Sequence, residues 1–245
     1  MGAEVAAGVL SPGTGSKSNM ILLAADTSGK HGSIALARVP SGTVDLGAIE
    51  VLEVVPLEGG TFSAQLVPQI SGLLASHALT KYHIGAFAVA SGPGSFTGLR
   101  VGLAAVKALA EVLEKPIAAV SLLEAVARSG KSGGRVLALL DAGRGELYVG
   151  EYEVGAYARM VRERLLTRAE FIHDARDRTV VTPDSRLASW ACGSGLETEL
   201  VGQPRSDAIA RLGWEKIRSG KTIAPQDLEA NYIRRSDAEI LAQRS

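Results

Sequence analysis

The chain has 245 residues, 46% of them hydrophobic, enough for one large domain or two small lobes with a full core. Lys plus Arg and Asp plus Glu each number 26, so the formal net charge is zero; this excludes the basic excess of a chain that grips nucleic acid unaided. One cysteine, Cys192, excludes an intrachain disulfide and fits a reducing, cytoplasmic compartment, and no apolar run is long enough to span a membrane.

Residues 1–19 are rich in Gly, Ser and Ala, lack the basic and apolar regions of a signal peptide, and read as a tail outside the fold. Residues 20–25, MILLAA, form a continuous apolar run expected of a strand buried on both faces. A turn at 26–29 leads to predicted strands at 33–39 and 49–55, and Pro56-Leu57-Glu58-Gly59-Gly60 breaks the pattern. Thr61 is placed to cap a helix reaching residue 77, with Pro68 as a kink. A buried strand at 84–90, a loop at 91–95 and a helix to 114 follow, ended by Pro116. Residues 117–120 return as a strand, and Ser121 is placed to cap a helix over 122–128.

The second half opens with predicted strands at 136–140 and 146–154 around the turn Asp141-Ala142-Gly143-Arg144-Gly145. At one constant offset VLALLDAGRGELYVGEYEV lies on ILLAADTSGKHGSIALARV, with Asp141 beneath Asp26. Two such units, each opening a half of the chain, predict a duplicated α/β fold of two lobes. Boundaries are expected at 1–19 for the tail, 20–119 for the first lobe and 120–245 for the second. Further elements are expected as a strand at 159–166, a helix at 168–175, a strand at 179–182 and a helix at 206–218 capped by Ser206, then a charged, irregular tail at 227–242.

Two features suggest a nucleotide site. Strand-end turns of a duplicated α/β fold face the cleft between lobes, where Asp26, Thr27, Ser28, Asp141 and Gly143 could hold a hydrated magnesium ion and phosphate. An Asp at such a turn equally serves to cap it, and both readings stay open. The loop carrying Gly92, Gly94 and Ser95 joins a buried strand to a helix and presents free amides to an anion, without the P-loop pattern. Its alternative use is a tight crossover.

The helix after that loop has its charges, Arg100, Lys107, Glu111 and Glu114, on one narrow arc. The remainder is apolar, as is much of the preceding helix, so a second surface must be covered. Burial within the chain and docking on another protein are the two options. No metal spacing links His31, His77, His83 and His173, no G-x-S-x-G elbow is present, and Cys192 reads as a small buried hydrophobe.

The string Gly92-Pro-Gly-Ser-Phe-Thr-Gly-Leu-Arg-Val-Gly-Leu103, with Lys107, Pro116 and Ser121-Leu-Leu-Glu124, resembles the signature of the TsaB (YeaZ) family. The likeness runs from Ile21 to Ser28, through Asp141 to Tyr148, and to Pro225 and Tyr232-Ile-Arg234. It implies an actin-like, sugar-kinase-like fold with mixed sheets flanked by helices. It implies a scaffold subunit, without catalytic residues of its own, that binds and activates TsaD for threonylcarbamoyl transfer to the adenosine beside the anticodon of ANN-decoding tRNAs. TsaE would join the complex, the chain would homodimerise when alone, and tRNA would be met only through the complex. ATP and magnesium would enter mainly through partner subunits.

On the same basis the docking residues are expected to be Phe62, Leu66, Ile70, Leu73, Leu74, Leu99, Val101, Leu103, Ala105, Val106 and Leu109. Leu122 and Val126 stand where the catalytic relative carries two metal-binding histidines. Ala191-Cys-Gly-Ser-Gly-Leu196 looks like a degenerate adenosine-binding turn, and Phe62-Ser63 replaces the family's frequent His-Ser pair. The alternatives are a small-molecule kinase or ATPase using Asp26 and Asp141 and, more remotely, a peptidase.

Overall fold

The computed structural model describes residues 20–39 and 49–234. The tail expected at 1–19 and the last part of the one expected at 227–242 lie outside the described residues.

Two five-stranded sheets are built to one plan. In the first, β1 (Met20–Asp26), β2 (His31–Val39) and β3 (Glu50–Glu58) are antiparallel neighbours, and β4 (Ile84–Gly92) and β5 (Ile117–Ser121) run parallel to β1 on its other side, giving the order β3-β2-β1-β4-β5. In the second, β6 (Gly134–Gly143), β7 (Glu146–Val154) and β8 (Ala158–Thr167) form the meander, and β9 (Thr179–Thr182) and β10 (Thr198–Leu200) extend it in parallel, giving β10-β9-β6-β7-β8. Read from the meander edge, the two orders are the same. The duplicated α/β architecture, two mixed sheets flanked by helices, is present.

β1 is buried along nearly its whole length because helices cover both faces of its sheet. β3 is an edge strand, which is why it continues through Pro56, opposite Ser33, where the sequence pattern suggested a break. On one face of the first sheet lie α1 (Phe62–Ser76) and α2 (Phe96–Leu113); on the equivalent face of the second lie α4 (Arg168–Asp174) and α5 (Ser185–Gly193). The helix following the fifth strand of each sheet crosses to the other lobe. α3 (Leu122–Ser129) follows β5 but packs on β6 and β7, and α6 (Ser206–Arg218) follows β10 but packs on β1, β2 and β4. β5 thus carries the first sheet past residue 119, and α6 belongs to the first lobe's core.

Local chemistry explains most ends. Ser95 Oγ accepts from Gly98 N at 3.3 Å at the start of α2, and Glu114 ends that helix in the left-handed region at φ 54°. Ser121 Oγ accepts from Leu123 N at the head of α3. Two expected caps differ. Thr61 makes no cap bond; its hydroxyl donates to the Glu58 carbonyl at 3.3 Å and accepts from Gln65. Ser206 lies inside α6, fully buried, with Oγ donating to the Ser33 carbonyl at 2.6 Å and its amide donating to Ser33 Oγ at 2.9 Å, so it bolts α6 to β2 rather than capping it. The sequence reading missed α5 and β10. Asp184, accepting from Arg186 N and Leu187 N, and the spacing of Leu187, Ala188 and Ala191 carried the signal for α5.

Candidate functional site

The β1–β2 turn, the loop before α2 and the β6–β7 turn meet at a cleft of about 1350 Å³ between the lobes. Ser28, Gly94, Ser95, Asp141 and Gly143 line it; Lys30, His31, Arg144, Tyr148, Tyr232 and Arg234, which the sequence reading did not select, line it too. Asp26, Thr27 and Gly92 do not reach it. Asp26 is buried, and its Oδ1 accepts from Ser28 N at 2.9 Å and Ser28 Oγ at 2.5 Å. Burial pushes its carboxyl above the usual range, against the lowering by the two Ser28 hydrogen bonds. Thr27 Oγ1 donates to the Gly98 carbonyl at 2.7 Å.

The glycines of the loop are used for close packing. A Cβ on Gly94 would lie 2.4 Å from the Ser28 carbonyl oxygen, and one on Gly98 would lie 2.1 Å from that of Thr27. Ser95 N already donates to Ser28 O at 2.6 Å. The turn and the loop therefore satisfy each other, which is the tight-crossover reading of the motif.

Asp26 and Asp141 are not equivalent. Asp26 pairs with Ser33, but Asp141 pairs with Leu147, one residue short of the Tyr148 that the sequence repeat sets under Ser33. A one-residue slip turns a side chain to the opposite face. Asp26 points inward, while Asp141 is exposed and accepts from Gly143 N at 2.9 Å. The repeat is real at the level of strands and fails as a pair of like-placed acids.

Leu122 and Val126, on adjacent turns of α3, are buried in the apolar contacts between the lobes. Among the described residues no three His, Cys, Asp or Glu side chains gather as a metal site. Phe62 is buried against Gly32, Gly193 and Gly195 shape the end of α5, and Cys192 is exposed rather than buried.

The expected docking residues divide sharply. Phe62, Leu66, Ile70, Leu73, Leu74, Leu99, Leu103 and Val106 are buried in the first lobe's own core. Only Val101, Ala105 and Leu109 are half-buried at the surface. They belong to a stripe whose exposed members, Ala104, Ala108 and Val112, were not among the expected docking residues: Val101, Ala104, Ala105, Ala108, Leu109 and Val112 follow one another at helical spacing along α2, and Val112 is 73% exposed. α1 carries its own exposed stripe of Ala64, Val67, Pro68, Gly72 and Ala75, with Val67 54% exposed. α1 and α2 pack side by side.

Residues 54–183 match the family described as TsaD: tRNA N6-adenosine threonylcarbamoyltransferase. A Bacillus subtilis protein named tRNA threonylcarbamoyladenosine biosynthesis protein TsaB is 30% identical over 233 residues, covering 90% of this chain and 96% of the relative. The Escherichia coli protein of the same name is 31% identical over 234 residues, covering 89% and 96%.

The chain belongs to the TsaB (YeaZ) family.

The structure of YeaZ from Pseudomonas aeruginosa agrees in fold, with a TM-score of 0.67 at 24% identity over 87% of this chain and 99% of that one. Membership places the match to the TsaD description on β3 through β9, which includes both striped helices and the loop before α2. No helix among the described residues is long and apolar enough to cross a membrane.

Proposed function

We propose that this chain is a non-catalytic partner in threonylcarbamoyladenosine synthesis, docking TsaD through α1 and α2 and holding it in its active arrangement. TsaD then transfers threonylcarbamoyl to the adenosine beside the anticodon of ANN-decoding tRNAs. The observation that carries this reading is the pair of exposed apolar stripes on the neighbouring helices α1 and α2, which are exposed to water at a cost and which a partner helix can approach closely because they are built mostly of Ala, Gly and Val. TsaE joining the complex, a homodimer through the same surface in the isolated chain, cytoplasmic residence and tRNA contact through the assembly follow from this reading. ATP and magnesium act there mainly through partner subunits. The kinase alternative is weakened because Asp26 is enclosed by its own turn and Asp141 is not its counterpart.

The test is light scattering after size exclusion, on this chain mixed with TsaD of the same organism. Ala108 is exposed, so Ala108→Glu leaves the circular dichroism of the folded chain unchanged while placing an unpaired charge in the contact. Such a charge costs about 3 kcal/mol, or roughly a hundredfold in Kd. Normal complex formation by Ala108→Glu overturns the docking surface. Leu103→Arg cannot serve this purpose: at 7% exposure it breaks the core first.

A further inference from the structure

The segment after α6 is a strap that fastens both lobes. Ile223 N donates to Ile117 O at 2.8 Å beside β5, and Leu228 is buried in the core under α1 and α2. Lys107 Nζ of α2 donates to the Gln226 carbonyl at 3.1 Å. The strap then crosses the interlobe space. Asn231 N donates to Ser91 O at 2.7 Å at the end of β4, and Asn231 Nδ2 donates to Glu163 Oε2 of β8 at 2.5 Å. Ile233 packs on the second lobe's core, and Arg234 pairs with Glu146 of β7 and donates to the Gly143 carbonyl at 3.3 Å. Asn231 lines both the cleft described above and a second one, of about 960 Å³, on the α3–α6 side, so the strap is the wall between them.

One contact joins this wall to the exposed stripe. Tyr232 stacks on Phe96 in the first turn of α2, with ring centroids 4.3 Å apart and planes at 20°. Arg100 lies over the other partner of the stack, its Cζ 4.2 Å from the Phe96 ring centroid, and donates from Nε to Tyr232 OH at 3.1 Å. Thr97 and Val101 continue the stripe of Ala104, Ala105 and Ala108 toward the N-terminus of α2, Arg100 heads the charged arc beside it, and Thr97 and Arg100 are exposed. Tyr232 is itself 37% exposed. A protein seated along the stripe meets the clasp at its end.

We propose that the Phe96–Tyr232–Arg100 clasp couples the docking face to the interlobe cleft: a partner on α2 engages Arg100 and Tyr232 and thereby resets the strap that walls the cleft. This rests on the docking reading and names how that surface is regulated. Asn231 and Ile233 sit on either side of Tyr232, Asn231 bonded to both lobes and Ile233 packed on the second, so moving the tyrosine moves the wall.

The experiment is amide hydrogen exchange over residues 229–234, with β1 as internal control, on the chain alone and with TsaD added, each mixture also weighed by light scattering. In the isolated chain Tyr232→Ala raises exchange of the strap about tenfold while β1 is unchanged, and Tyr232→Phe, which keeps the stack, recovers most of the protection. Adding TsaD changes strap exchange in the wild-type chain and leaves it unchanged in Ala108→Glu. A complex that forms with no change in strap exchange overturns the coupling and leaves the docking reading standing. Absence of any complex with the wild-type chain overturns both. A Tyr232→Ala strap as protected as wild type shows that the clasp holds nothing and also overturns the proposal.

Discussion

At the scale of single residues, the site is governed by who satisfies whom. Asp26 has the position of a ligand and the environment of a structural acid: buried, with two hydrogen bonds from Ser28, and with its carboxyl raised above the ordinary 3.8 chiefly by desolvation. A carboxyl whose folded value is raised binds more protons folded than unfolded, so its contribution to stability falls as pH rises through that raised value and is fully restored only below 3.8. Asn keeps the acceptor for Ser28 and cannot ionise. The melting temperature of Asp26→Asn minus that of wild type is therefore larger at pH 8 than at pH 4. Thermal melts across that range check it; a difference independent of pH would mean that the carboxylate is not held in a desolvated place. Gly94 and Gly98 belong to the same account, since their missing side chains let the loop close on the turn.

At the scale of elements, α3 shows how a catalytic position is converted into packing. Leu122 and Val126 face the apolar contacts between the lobes at 5% and 0% exposure, where the resemblance implies histidines in the catalytic relative. Leu122→His with Val126→His is expected to gain no tight divalent-metal binding, because two ligands without a third leave the ion incomplete. The same pair buries two polar rings without partners and costs about 2–5 kcal/mol in stability. Calorimetric titration with zinc and a denaturant curve read the two effects separately. The sequence made most elements legible where period and buried length are strong, as in β1, β4, α2 and the repeated β1–β2 and β6–β7 hairpins. It misled where tertiary contacts decide: β3 continues through Pro56 because it is an edge, and Ser206 holds Ser33 instead of capping α6. On α2 an apolar circumference announced two covered sides but not which residues face which. Leu99, Leu103 and Val106 took the core, and Ala104, Ala108 and Val112 were left for the outside. The one-residue slip between β6 and β7 was likewise invisible, because a sequence repeat fixes order and not register.

At the scale of the whole molecule, the decisive feature is the exchange of helices between lobes. α6 supplies Ile209, Ala210 and Leu212 to the first sheet, and α3 supplies Leu123, Val126 and Ala127 to the second. The strap adds Leu228 to one core and Ile233 to the other. Neither sheet can cover both faces with helices from its own half of the chain, so neither lobe is an independent folding unit despite the duplication. The chain is expected to unfold in one cooperative transition, with calorimetric and van't Hoff enthalpies equal, rather than in two steps. A fragment ending at residue 121 retains β1 through β5 with α1 and α2 but strips the face that α6 covers, and it is expected to be unfolded or aggregated. Adding a separate peptide of residues 203–234 should restore part of its structure, because that segment carries both α6 and the strap; circular dichroism of the mixture reads this directly. Two resolved calorimetric transitions, or a fragment that folds alone, would mean that the lobes are autonomous and that the crossed helices are docked late on finished cores. The coupling of stability across the lobes matters for function on the proposed reading: a surface on one lobe can influence a cleft shared by both only if the two are held as one body.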